Sequence, residues 1–131
     1  MLADTRVTAF LATTRAGRAI AFYCDTLGLR RVEESPFAVV LDAGGVELRL
    51  QKVETFTPQP FTALGWRVAD VAATVDELTS RGIAFERFPG MDQDQRGIWK
   101  SPAGARVAWF RDPDGNILSV TEHPQAARRK R

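Results

Sequence analysis

The chain has 131 residues, 44% of them hydrophobic and 26% charged, the make-up of one globular domain with a proper core. Its net charge of +2 is unevenly spread: four positive charges fall in the ending Arg128-Arg129-Lys130-Arg131, leaving −2 on everything before it, so the fold itself offers no basic surface for nucleic acid. No apolar run approaches the roughly 18 residues of a membrane span, no signal-peptide pattern is present, and a lone Cys24 excludes an internal disulfide and fits a cytoplasmic protein.

Residues 7–12 are a short apolar-rich run that predicts a strand. Thr13 and Thr14 are N-cap types, and residues 16–27, with Ile20, Phe22, Tyr23 and Leu27, predict a helix that Gly28 stops. Two strands follow at 29–34 and 37–41, and a turn at 42–45 leads into a strand at 46–51. Pro58 and Pro60 mark a linker. The series then recurs, with a strand at 63–68 and a helix at 71–80 that Asp70 caps and Gly82 ends. Val71, Val75 and Leu78 give that helix its period. Strands at 83–88, 107–111 and 117–121 and a loop at 89–97 complete it.

One spacing ties the halves together. Asp42-Ala43-Gly44-Gly45-Val46-Glu47-Leu48-Arg49-Leu50 aligns with Asp112-Pro113-Asp114-Gly115-Asn116-Ile117-Leu118-Ser119-Val120, both reading Asp-x-x-Gly-x-x-Leu-x-aliphatic. The expected fold is α+β, two tandem βαβββ modules forming a cup-shaped mixed sheet. The chain is expected to be a single domain over 1–131, with a first module at 6–53, a linker at 54–61, a second module at 62–123 and a basic tail at 124–131. A duplicated sheet is expected to hold its ligand between the copies.

Ala19-Ile20-Ala21-Phe22-Tyr23 with Leu27-Gly28-Leu29, and Phe110-Arg111-Asp112-Pro113-Asp114-Gly115-Asn116 near the other end, resemble the opening helix and closing signature of the vicinal oxygen chelate superfamily. That superfamily includes glyoxalase I, the fosfomycin and bleomycin resistance proteins and the extradiol dioxygenases. The resemblance runs from about residue 7 to residue 122 and implies the fold above and a homodimer. It does not by itself imply one activity, because the scaffold hosts many chemistries.

Metal-dependent members of that superfamily hold a divalent ion with His, Glu or Gln from four positions. By resemblance these fall on Thr8, Arg49, Ala63 and Ser119 of this chain, none a normal metal ligand, and Arg49 sets a fixed positive charge where a cation would sit. The expectation is no metal and no cofactor. The one histidine, His123, follows the last strand and reads as a surface residue.

Strand alternation sorts the faces. Thr8, Phe10 and Ala12 point into the cup, as do Ala63, Gly65 and Arg67. A four-residue loop at 112–115 sets Arg111 opposite Asn116 and Ala108 opposite Ser119. That places Ala108, Phe110, Ile117 and Ser119 in the cup and Trp109 in the core. The same count puts Ala38, Val40, Glu47, Arg49 and Gln51 in the cup. Expected ligand-binding residues are therefore Thr8, Phe10, Glu47, Arg49, Arg67, Trp99, Phe110 and Ser119, with Trp99 as a lid over a flat ligand. Arg49 and Arg67 suit a carboxylate, phosphate or phenolate, unless Glu47 pairs with one of them in a structural network.

Two readings follow. One is a metal-free small-molecule binding protein for a planar or anionic ligand, with no membrane or nucleic-acid partner. The other is a lyase, isomerase or dioxygenase with a non-standard metal or acid–base site, for which Glu47 is the candidate general base.

Overall fold

A computed structural model describes residues 1–125 of the protein. Most of the basic tail expected at 124–131 lies outside the described residues. The chain divides into two compact units, Met1–Gln59 together with Asp112–Asn116, and Pro60–Arg111 together with the chain from Ile117. Among the described residues, no helix is long and apolar enough to cross a membrane.

In the first unit, β1 (Thr8–Thr13) leads through α1 (Ala16–Ile20) to β2 (Arg30–Glu34), β3 (Ala38–Ala43) and β4 (Val46–Lys52), in sheet order β1-β4-β3-β2. β1 runs parallel to β4, and the other pairs are antiparallel. Val39, Leu41, Leu48 and Leu50 are buried on one side, as their alternation with Val40, Glu47 and Arg49 dictates. Gly44 and Gly45, both at positive φ (67° and 93°), close the β3–β4 hairpin so tightly that Ala43 pairs with Val46, a two-residue turn only glycine-like residues form readily.

The second unit repeats the plan. β5 (Thr62–Arg67), α2 (Val71–Ser80), β6 (Trp99–Lys100), β7 (Arg106–Arg111) and β8 (Ile117–Glu122) form a sheet of order β5-β8-β7-β6, with β5 parallel to β8. Asp70 caps α2, its carboxylate accepting the Ala73 N–H at 3.0 Å, which supplies one of the orphan donors of the first turn. Val71 and Val75 are buried where α2 meets β7 and β8.

Three sequence expectations change. The helix at 16–27 is α-helical only to Ile20 and continues as a wider π-helical turn over Ala21–Thr26. That turn carries the fully buried Tyr23. Thr13 and Thr14 do not cap it through their hydroxyls; both donate instead to Asp114, at 2.6 and 2.7 Å. Residues 83–88 are not a strand. Glu86 N–H reaches Trp109 O at 2.8 Å, and a side chain in the following loop holds the rest of the segment.

The register of the second hairpin also differs from the four-residue count. Asn116 is drawn into the turn, donating to Ala12 O and Asp112, so pairing begins one step later, with Arg111 opposite Ile117 and Trp109 opposite Ser119. A one-residue slip moves a strand's side chains to the other face. Phe110 (1% exposed) and Ala108 therefore lie in the core with Leu118 and Val120, and Phe110 packs on Phe85 and Trp66. Trp109 takes the face expected for Phe110.

Candidate functional site

Each sheet has one face buried by its own core and a second face that is only partly open, with Ala38 and Val40 buried on the first and Ile117 and Ser119 on the second. On the first, the register sets Thr8 beside Glu47, Phe10 beside Arg49 and Ala12 beside Gln51, with Val40 on the far side of Arg49. Four of the expected residues, Thr8, Phe10, Glu47 and Arg49, are thus neighbours. Phe10 is 55% exposed, and Arg49 Nη1 donates to Glu47 Oε2 at 3.3 Å. A shallow cavity of about 170 Å³ opens beside them, lined by Arg6, Arg30, Val32, Asp42, Val46 and Glu47 among others. Arg30 meets Asp42 at 3.2 Å and Glu47 meets Arg49 at 3.3 Å, while the Arg6 side chain makes no ion pair among the described residues. The Asp42 carboxyl lies below its usual range, first because the Gly45 N–H donates to it and then because of Arg30.

The open face of the second sheet is of another kind. Gly65, Ser119 and Trp109 form one row across β5, β8 and β7, and Arg67, Thr121, Val107 and Trp99 form the next, out to β6. Gly65 leaves room there, since a Cβ at this position would lie 2.5 Å from Ser119 Oγ. Ala63 sits at an irregularity in the β5–β8 pairing, between Thr62 and Leu64. Arg67 has no hydrogen-bond or ion-pair partner among the described residues.

Trp109 is the centre of this face. Its indole N–H donates to Thr62 Oγ1 at 3.0 Å, which fixes the ring plane. Phe88 meets it edge-on at 5.6 Å, and Trp99 lies at 6.1 Å, tilted by 38°. These are distances at which aromatic pairs attract beyond their buried area. Beside Trp109 is a cavity of about 190 Å³ lined by Phe61, Thr62, Phe88, Met91 and Ile117 with the indole itself. Glu86 and Arg111 pair nearby at 3.2 Å.

Of the residues expected from sequence, Arg67, Trp99 and Ser119 share this face, and Phe110 does not. Trp109, Phe88, Met91 and Phe61 were not expected in it. A five-residue reading of the turn at 112–116 would have found Trp109; nothing periodic marks Phe88 or Met91. His123 lies just beyond β8 and is half-buried. Among the described residues, no group of three or more His, Cys, Asp or Glu side chains is placed to hold a metal ion.

Comparison with known proteins gives a consistent frame. A family model described as the Glyoxalase/Bleomycin resistance protein/Dioxygenase superfamily matches residues 6–120. The uncharacterized protein YraH of Bacillus subtilis (strain 168) is 30% identical over 118 residues, spanning 79% of this chain and 86% of that one. Among solved structures, a superfamily member from Sphaerobacter thermophilus superimposes with a TM-score of 0.72 at 22% identity, over 94% of this chain and 100% of the other. A lactoylglutathione lyase from Agrobacterium tumefaciens does so with a TM-score of 0.66 at 24% identity, over 91% and 93%. Likeness at these identities establishes the fold alone.

Proposed function

The chain belongs to the Glyoxalase/Bleomycin resistance protein/Dioxygenase superfamily, and from that premise we propose that it is a metal-free binding protein for a small planar ligand, seated on the open face of the second sheet. The observation that carries the reading is the aromatic wall of Trp109, Phe88 and Trp99 beside a cavity of about 190 Å³. A dry cavity of roughly 150 Å³ is enough to take benzene, so this one suits a single substituted ring. Apolar walls with a few placed polar groups are what small-molecule sites present. Arg67 lies on the same face, outside the lining of that cavity and with its side chain unpaired among the described residues, and is the cation offered to an anionic substituent that extends along the face past Trp109.

Support for a metal-free site comes from the side chains at the four positions that the sequence resemblance assigns to an ion. Thr8, Arg49, Ala63 and Ser119 offer two hydroxyls, a methyl and a guanidinium, a set that does not fit a divalent cation. Support for binding over catalysis comes from Glu47, whose carboxylate is engaged by Arg49 on its own strand rather than poised as a free base. A homodimer in the cytoplasm belongs to the same reading, by family resemblance and the single cysteine.

Titration with 4-nitrobenzoate, a planar monocyclic anion whose nitro group quenches indole emission, tests this by calorimetry and tryptophan fluorescence. At about 0.3 kcal/mol per non-hydrogen atom, its dozen atoms predict a Kd of about 2 mM or tighter. Trp109→Leu is expected to weaken binding about tenfold and Arg67→Ala somewhat less, with no response to EDTA. Binding that ignores Trp109→Leu, or that appears only when Zn, Ni, Mn, Co or Fe(II) is added, would overturn the proposal.

A further inference from the structure

The stretch between α2 and β6 carries part of the aromatic wall but lacks the ladder that orders its counterpart. In the first unit β2 is paired along its length with β3. In the second, residues 83–88 meet β7 by a backbone hydrogen bond, Glu86 N–H to Trp109 O, and by the side chains of Phe85, Glu86 and Phe88 on Phe110, Arg111 and Trp109. The rest is held by Arg87, which donates to Asp94 O, by the Asp94 carboxylate, which accepts the Arg96 and Ile98 N–H groups, and by the side-chain amide of Gln93, which alone reaches Phe88, Glu86 and Gly97 together. Gln93 Oε1 accepts the Phe88 N–H at 2.8 Å, and its Nε2 donates to Glu86 O at 2.9 Å and to Gly97 O at 2.8 Å. The backbone of Gln93 forms an isolated antiparallel bridge with Trp99. One planar group therefore ties the segment holding Phe88 to the segment leading into Trp99, doing with side-chain atoms what a ladder does with peptides.

We propose that Gln93 is the positioning residue of the aromatic site: its amide, rather than its bulk, holds Phe88 and Trp99 at their distances from Trp109. The proposal rests on the reading of that face as the ligand site. An acceptor on one side and two donor protons on the other are needed at once, and no other uncharged side chain of this length has both. A carboxylate of the same shape keeps the acceptor for Phe88 but turns a negative oxygen toward the Glu86 and Gly97 carbonyls.

Two variants separate amide from bulk. Gln93→Met keeps the length and loses every side-chain hydrogen bond, and Gln93→Glu keeps the shape and loses both donors. The first readout is the exciton couplet of the Trp99–Trp109 pair in circular dichroism, which follows ring geometry without any ligand. The second is the affinity for 4-nitrobenzoate, and thermal melting in the far ultraviolet reports the fold. Both variants are expected to melt cooperatively, to lose about half or more of the couplet, and to bind the probe about fivefold more weakly or worse. An unchanged couplet in either folded variant would overturn the role of Gln93. A lost couplet with unaltered probe binding would uphold it and instead sink the ligand-site reading, so the two failures are told apart.

Discussion

The Tyr23 hydroxyl donates a 2.7 Å hydrogen bond to Asp112 Oδ2 in a fully buried contact. The Asp112 carboxylate also accepts the Asn116 side-chain amide at 2.8 Å and the backbone N–H groups of Asp114 and Asn116, both at 2.9 Å. The turn at Asp112–Asn116 is thus packed and hydrogen-bonded through one carboxylate. Burial, and then the charge of Asp112, push the Tyr23 phenol far above its ordinary value. Because the folded state keeps a proton that the unfolded chain releases near pH 10, stability from this pair is complete below about pH 10 and falls above it. Tyr23 is the only tyrosine, so phenolate absorbance near 295 nm is expected to rise only together with loss of the folded far-ultraviolet signal. A separate, earlier titration would contradict this. Tyr23→Phe is expected to cost about 2 kcal/mol in urea denaturation, as for a bond to a buried charge.

Asp114 gives the opposite slope. Burial alone would raise its carboxyl, but hydrogen bonds from the Thr13 hydroxyl and from the Thr14 N–H and hydroxyl outweigh it and leave the group below its usual range. A carboxyl lowered on folding stabilises above its unfolded value and loses that contribution as the pH falls through the folded one. Asp114→Ala should therefore be clearly less stable than the parent protein at pH 7, by about 2 kcal/mol. The gap should narrow below about pH 4. Denaturant midpoints at pH 7 and pH 3 measure it, and a gap that does not depend on pH would mean that packing alone is at stake.

Arg49 and Glu47 lie on the open face of the first sheet with side chains 34% and 46% exposed. An ion pair so wet contributes about 0.5 kcal/mol or less. Arg49→Ala is expected to shift the melting temperature by no more than about 2 °C. That makes it a sound control: weakened 4-nitrobenzoate binding by this variant would bring the first sheet's open face into the ligand site, and unchanged binding would leave it out.

Neither hairpin has the four-residue turn that its Asp-x-x-Gly spacing predicts, and the two departures have unequal consequences. Gly44 and Gly45 close the first at Ala43–Val46. The pairing shifts by two, so Glu47, Arg49 and Val40 kept the face that alternation gave them. Asn116 enlarges the second turn to five residues, the shift is one, and Phe110 and Trp109 exchanged places. Helix stops at Gly28 and Gly82, both at positive φ, and the Asp70 cap were legible because each is a local stereochemical need. Gln93 was not legible. Its role depends on carbonyls and an N–H brought together only by the folded loop, and a polar residue among Asp92, Asp94 and Gln95 carries no periodic signal.

Gly65 offers a last test of the face around Trp109. The clash its missing Cβ avoids is with Ser119 Oγ, at 2.5 Å, while the Ser119 backbone oxygen would lie at 3.5 Å, an ordinary contact. Ser119 is only 6% exposed, so a rotated hydroxyl has little free space to enter. Gly65→Ala is therefore expected to cost about 1 kcal/mol despite alanine's lower entropy loss in a strand. Removing the hydroxyl should relieve it: in Gly65→Ala/Ser119→Ala the combined cost should fall below the sum of the single changes by about 1 kcal/mol, the coupling expected of residues in direct contact. Chemical denaturation of the four proteins gives the cycle. Additive costs would show that the strain at Gly65 falls on the sheet backbone instead.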